Sequence, residues 1–292
     1  METTLFFKTF IVFGSQLSLI FGICYLIIFQ ARKAILEKQP FFGVNMEARY
    51  NSKGELDLFS IESEELAAKI HSLQLEVSDI KIQAKKLSPS ERKSQLRENT
   101  KKIANLKTKI SDLVSQDPFT TVSSILLIPW VFTLITCAII GHMDISIFIK
   151  MSVLTIASVT FAPILAIILI KMDENNGLRI VNLTILVTFI AAIIGMYSGI
   201  DFSALGYILI APLALLILWN FARIFYNFPD WQTRGMGFFG SLIFILFLLY
   251  DFNRLQKAAE SGINNWQTAF EIGFAIYLDV INLLLELLDA MG

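Results

Sequence analysis

Seven runs of mostly apolar residues dominate this sequence, at 6–29, 119–141, 147–170, 180–198, 203–226, 237–253 and 268–288. A helix needs about 20 such residues to cross the hydrocarbon of a bilayer. The mean hydropathy of +0.62 and the 55% share of hydrophobic residues belong to a polytopic membrane protein. The breaks are short and polar or rich in turn residues: Gly141 to Asp144, Lys171 to Gly177, Ser198 to Asp201 and Asn227 to Asp230. Neighbouring spans should therefore pack antiparallel. Pro129, Pro163 and Pro212 fall inside spans, where each removes a backbone donor and can kink its helix. Ordinary helix shape explains them better than a gate.

Several function classes drop out. A net charge of −1 gives no electrostatic case for nucleic acid. Cys24 and Cys137 sit in apolar runs and read as small buried hydrophobes, without disulfide or metal spacing. His71 and His142 are isolated. The first run ends at Arg32 and Lys33 with no small-residue cleavage site, so it reads as a span, not a signal peptide. The spans hold no Ser/His or metal-ligand grouping, and the expectation is no enzyme, no catalytic residue and no cofactor.

Between the first span (1–30) and the six-span region (119–292) lies an insertion at 31–118 that is expected to be soluble. Its start, with Pro40, Gly43 and Gly54, reads as irregular. Leu66, Ile70, Leu73, Val77, Ile80, Ala84 and Leu87 then alternate spacings of four and three, as do Leu96, Asn99, Ile103, Leu106, Ile110 and Leu113. This is an a/d seam. Ser88, Pro89 and Glu91 between the two runs have the pattern of a capping box. The spacing predicts an antiparallel coiled-coil hairpin over about 60–87 and 90–115, open to a protein partner or to self-association through 60–115. A plain stalk is the bland alternative.

The last two spans each carry an aspartate, Asp251 and Asp279. A carboxylate inside an apolar span costs a few kcal/mol and usually faces a bundle interior or a wet cavity. Asn253, Arg254 and Lys257 follow Asp251 at once, so the alternative there is a residue that merely ends its span. Asp279 is flanked by IGFAIYL and VINLLLELL. Glu271, Ala275, Asp279, Asn282, Glu286 and Asp289 are spaced to share one helix face. A surface-lying amphipathic helix would carry Lys or Arg on such a stripe, and this one has none. An all-acidic stripe fits a buried helix along a cation path, with Asp251 and Asp279 as transient calcium ligands and Asn282 and Glu286 as further members.

The stretches SVTFAPILAIIL in the third span, Asp201 to Gly206, Leu249-Tyr250-Asp251-Phe252-Asn253-Arg254 and Tyr277-Leu278-Asp279-Val280-Ile281-Asn282-Leu283 resemble signatures of the Bax inhibitor family. The resemblance covers about 147–289 and reaches the first two spans by position alone. It implies an all-α bundle of seven transmembrane helices with the last helix at the centre. It also implies a pH-sensitive calcium leak with the aspartates Asp251 and Asp279 as a paired sensor. In eukaryotes the resemblance ties the chain to suppression of cell death and to calcium stores of the endoplasmic reticulum, and in bacteria to modulation of a membrane protease. Three departures stand out. Phe252 replaces a small polar residue, span 119–141 has no Arg or Lys to latch the aspartates, and the long hairpin is atypical.

The residues supply a mechanism beside the resemblance. Two neighbouring carboxylates in low dielectric cannot both ionise cheaply, and their titration belongs to the pair. A shared proton ties two helices together, whereas two charges repel and offer hard oxygens to calcium or another cation. The rival reading is a non-conducting scaffold or regulator acting through the hairpin. An aspartyl-protease dyad ranks last, because YDFN and YLDVIN do not resemble intramembrane protease motifs. Arg32, Lys33, Lys171, Arg179, Arg223 and Arg234 lie on the hairpin's side of the membrane, which leans to a cytoplasmic hairpin. The resemblance leans to a cytoplasmic N-terminus instead. A bacterial inner membrane is the first choice of location and a eukaryotic endomembrane the second.

Overall fold

A computed structural model describes residues 3–41, 44–50, 56–86, 89–226 and 228–291. Gly43, Gly54, Leu87, Ser88 and Asn227 lie outside the described residues, and with them the cap assigned to Ser88. The chain divides into two units, Leu26–Ile128 and the remainder, Met1–Tyr25 with Pro129–Gly292. The elements are α1 (Leu5–Leu36), β1 (Met46–Tyr50), β2 (Leu56–Ser60), α2 (Ile61–Lys86), α3 (Pro89–Gln116), α4 (Pro118–Gly141), α5 (Ile147–Met172), α6 (Glu174–Tyr197), α7 (Leu205–Ile208), α8 (Ile210–Phe225), α9 (Asp230–Glu260) and α10 (Trp266–Met291).

The unit Leu26–Ile128 corrects one expectation. The stretch read as irregular forms an antiparallel hairpin, with Met46 opposite Ser60 and Tyr50 opposite Leu56. On β1, Met46 is buried and Glu47 exposed, as neighbouring side chains of a strand point to opposite faces. Met46 and Leu58 are buried. β2 runs directly into α2, and α2 packs against α3. On that pair Val77 and Leu106 are buried, while Leu66, Ile70, Leu73, Ile80, Asn99, Ile103, Ile110 and Leu113 are half-buried. α2 and α3 thus pack together with these positions covered or half-covered, among the described residues. Asp117 stands between α3 and α4 and accepts from the Thr120 amide (3.3 Å) and the Thr120 hydroxyl (2.5 Å). With Pro118 next in line, this is a regular N-terminal cap for α4.

Among the described residues, six helices are long and apolar enough to cross a membrane: Leu5–Leu36, Phe119–Gly141, Ile147–Met172, Glu174–Tyr197, Leu205–Arg223 and Trp231–Glu260, the first two running across the boundary between the units. The protein is an all-α polytopic integral membrane protein in contact with lipid. α10, 26 residues long, is not among these six, and it carries Glu271, Asp279, Glu286 and Asp289. The span at 203–226 is broken into α7 and α8, with Leu209 between them. Pro212 sits in the first turn of α8, where a missing N–H leaves no bond unmade. It therefore starts a helix instead of kinking one. α4 and α5 run unbroken through Pro129 and Pro163.

α10 is the common neighbour of the bundle. Gly273 lies against Val12 of α1, close enough that a Cβ there would meet Val12 at 2.8 Å. Gln267 donates to the carbonyl of Gly141 at the end of α4. Ser158 of α5 lies 3.4 Å from the Tyr277 hydroxyl. α6 packs along α10, Asn220 of α8 reaches Glu286, and α9 runs beside α10 over most of its length. The apolar face is sealed at Phe270, Ile276, Tyr277, Leu283 and Leu284, each at most 1% exposed.

Candidate functional site

Asp251 lies inside α9, nine residues before its end at Glu260, so it does not terminate the helix. It is only 4% exposed. The carboxyl groups of Asp251 and Asp279 lie within hydrogen-bonding reach of each other. Asp279 as a residue is half-buried, yet its Oδ2 is sealed from solvent and no donor among the described residues reaches it. Two carboxylates carry no hydrogen between them, so such a pair is satisfied only by a shared proton or a cation. Each helix presents its aspartate for a local reason. Phe252 and Leu248 bury the α9 flanks, while Ile276 and Val280 bury those of α10, which leaves the carboxyls turned to each other.

α9 is held in place from the far side. Asn253, 7% exposed, donates to the carbonyls of Gly195 and Ile200 (both 3.2 Å) and accepts from the Phe202 amide (3.2 Å). A Cβ on Gly195 would lie 2.8 Å from the Leu249 carbonyl and from Phe252 Cβ, so α6 closes on α9 at the level of Asp251. Beyond it, Lys257 bonds Asp201 and Ser203 in the α6–α7 loop. That bond and the Ser203 amide hold the exposed Asp201 carboxyl below the usual carboxylate range.

The rest of the acidic stripe serves separate neighbours. Glu271 accepts from Gln267 (2.7 Å) and lies 3.9 Å from both His142 and Arg254. Gln267 also takes the ammonium of Lys150, a residue 1% exposed that donates to the Gly141 carbonyl at 3.1 Å. Asn282 is half-buried. Glu286 sits two turns beyond Asp279, about 10 Å along the axis. It accepts from Asn220 at 3.5 Å and lies against Gly237 and Gly240, where a Cβ would collide with it. Asp289 pairs with Arg223. The structure thus brings Asp251 and Asp279 together and leaves Asn282 and Glu286 further along. Arg223, Asn220, Lys150 and Gln267 are polar partners that sequence reading missed. Arg223 reads as a charge on the hairpin's side of the membrane, and nothing in its spacing or in that of Lys150 marks a partner on α10.

Comparison with known proteins places these residues. A family model described as "Inhibitor of apoptosis-promoting Bax1" matches residues 106–292, well over half the chain. The chain belongs to the Bax inhibitor-1 family. A BI1-like protein of Arabidopsis thaliana is 31% identical over 91 residues, which make up 31% of this chain and 34% of that relative. The chain thus spans about a third of the relative's length. In this Bax inhibitor-1 family member the matched stretch takes in the end of α3 and all of α4 to α10, including Asp251 and Asp279. α1, β1, β2, α2 and the first part of α3 lie outside it.

Proposed function

We propose that this protein is a pH-sensitive leak for calcium or a similar cation, with Asp251 and Asp279 as its sensor and ligands. The observation that supports this reading is the sealed pairing of two carboxyls on adjacent helices, with Asp279 Oδ2 lacking any other donor among the described residues. With one proton between them, α9 and α10 are tied and the path is closed. As pH rises the proton leaves, the charges repel, and both carboxylates become oxygen ligands of the kind calcium takes. α10 then serves as the seventh span and the centre of the bundle. The reading involves no enzymatic step and no resident cofactor. A bacterial inner membrane suits it first and a eukaryotic endomembrane second.

The test is calcium flux into liposomes from about pH 5 to about pH 8, for the wild type, Asp251→Asn and Asp279→Asn. Flux should rise with pH in the wild type, and both variants should flatten that response. A wild-type response that both variants keep removes the sensor role.

A regulator acting through α2 and α3 is the second reading. Most of that hairpin lies outside the family match, so it is an addition to the bundle, with room for a partner or a second copy. Wild-type protein that carries no calcium at any pH would favour it. Deleting residues 61–116 should then abolish the regulatory effect and leave the bundle folded.

A further inference from the structure

α2 has a second apolar face, turned away from α3. Its inner face holds the buried Val77, with Leu66, Ile70, Leu73 and Ile80 half-buried. Leu75 lies two residues from Val77, about 200° round the helix. It is 52% exposed, and Ile82 is 51% exposed. Ala68 is exposed as well. The three stand seven residues apart, so they form one stripe along the outside of the helix. Ser72 and Ser78 flank Leu75, and each turns its hydroxyl back to its own helix, to the carbonyls of Lys69 and Leu75 (both 2.7 Å). Both hydroxyls are thereby satisfied within α2, and two small side chains leave Leu75 standing clear for a close neighbour.

Charge along α2 is divided by half. Glu64 and Glu65 stand near its start, Lys85 and Lys86 at its end, and all four fall three or four residues from a stripe position. A second α2 laid antiparallel, with Leu75 on the two-fold axis, sets Ile82 against Ala68 and Ser72 beside Asp79. The same register sets Glu64 and Glu65 beside Lys85 and Lys86. A parallel pair would set like charge on like at both ends. We infer that this stripe joins two copies of the chain through an antiparallel α2–α2 contact about Leu75. Such a contact is isologous, one patch meeting itself. The charges at its rim fix its direction more than its strength. α2 lies outside the family match. The inference deepens the regulator reading by naming a second copy as the hairpin's occupant, and it rests on that reading only for what the dimer does.

Cross-linking in the full chain tests it, with Cys24→Ala and Cys137→Ala as background. Under mild oxidation Leu75→Cys should give a disulfide-linked dimer. Ala68→Cys and Ile82→Cys should each stay uncross-linked on their own, because each would stand about 21 Å along the axis from its own copy, beyond the reach of about 7 Å that a disulfide allows. A mixture of those two variants should cross-link. Disulfides at all three single positions would mean a parallel pair and overturn the antiparallel contact. None in Leu75→Cys and none in the mixture would overturn the dimer. The wild type in detergent should have the mass of two chains, and the double variant Leu75→Asp with Ile82→Asp the mass of one, with thermal unfolding of the monomer still cooperative because both positions are exposed. A wild type at the mass of one chain, or that variant at the mass of two, removes the stripe as the interface. A dimer that forms while deletion of residues 61–116 leaves the regulatory effect intact keeps the contact and removes the regulator reading.

Discussion

Asp279 and Asp289 stand on one face of the same helix, ten residues apart, and are neutralised in opposite ways. Asp279 meets another acid, Asp251, in the sealed interior. Asp289 meets a base, Arg223 of α8, with both side chains about a third exposed. A base compensates a carboxylate at every ordinary pH. An acid does so only while a proton lies between the two. The stripe on α10 is therefore not one uniform path. Its Asp289 end is a clamp, and its middle is the only rung among these two whose bonding depends on pH. Glu286 lies between them and is held by Asn220 and by two glycines of α9.

That contrast can be broken at the clamp. A Cβ on Gly237 would lie 2.7 Å from the Ala290 amide nitrogen and 2.8 Å from the Glu286 carbonyl, both backbone atoms that cannot swing aside. Gly237→Ala should destabilise the protein by about 1–3 kcal/mol, the usual cost of overpacking. Gly235→Ala, which meets nothing within 4 Å, is the control in the same helix and should cost nothing. Thermal unfolding in detergent reads both. If the rungs are independent, the pH response of calcium flux is unchanged in Gly237→Ala at temperatures where it stays folded. A shifted response would show that clamp and sensor act as one unit.

A smaller effect is expected from Arg223→Met. The pair is partly exposed, and such pairs contribute roughly 0–1 kcal/mol. Unfolding should move by no more than that, and Arg223→Asp with Asp289→Arg should restore it. A loss as large as that of Gly237→Ala would place the pair among buried ones.

The smallest effect belongs to Lys257→Met. Asp201 is held below its usual range by Lys257. A depressed carboxyl contributes stability above its unfolded value, about 3.9, and loses it only as pH falls through the lower folded value. Between about pH 5 and pH 8 the variant should therefore differ from wild type by a constant offset in melting temperature. An offset that changes across that range would mean the exposed loop shares in the pH response attributed to the interior.

The membrane helices were legible because apolar length is a one-dimensional signal. Asp279 was legible because a carboxylate among Ile, Leu and Val has no cheap explanation. The two helices α2 and α3 could be expected from the length of their periodic runs for the same reason. The partners of the stripe could not. Arg223 and Lys150 stand at the ends of apolar runs, where basic residues are common for topological reasons. Only the fold shows that Lys150 is buried against Gly141 and Gln267. The strands Met46–Tyr50 and Leu56–Ser60 are five residues each, too short for alternation to stand out from a polar background. Pro212 misled because a proline in an apolar run looks the same whether it kinks a helix or begins one.

α10 follows in the chain every helix that it touches. During synthesis those helices are made before their shared neighbour exists, and chains generally begin to fold before they are complete. α9 must then enter the bilayer with Asp251 unmatched, at the few kcal/mol such a residue costs. The arrival of Asp279 ends that exposure. A chain cut short before α10 would leave Asp251 without its partner and the helices that pack on α10 without their shared neighbour, a target for quality-control proteases.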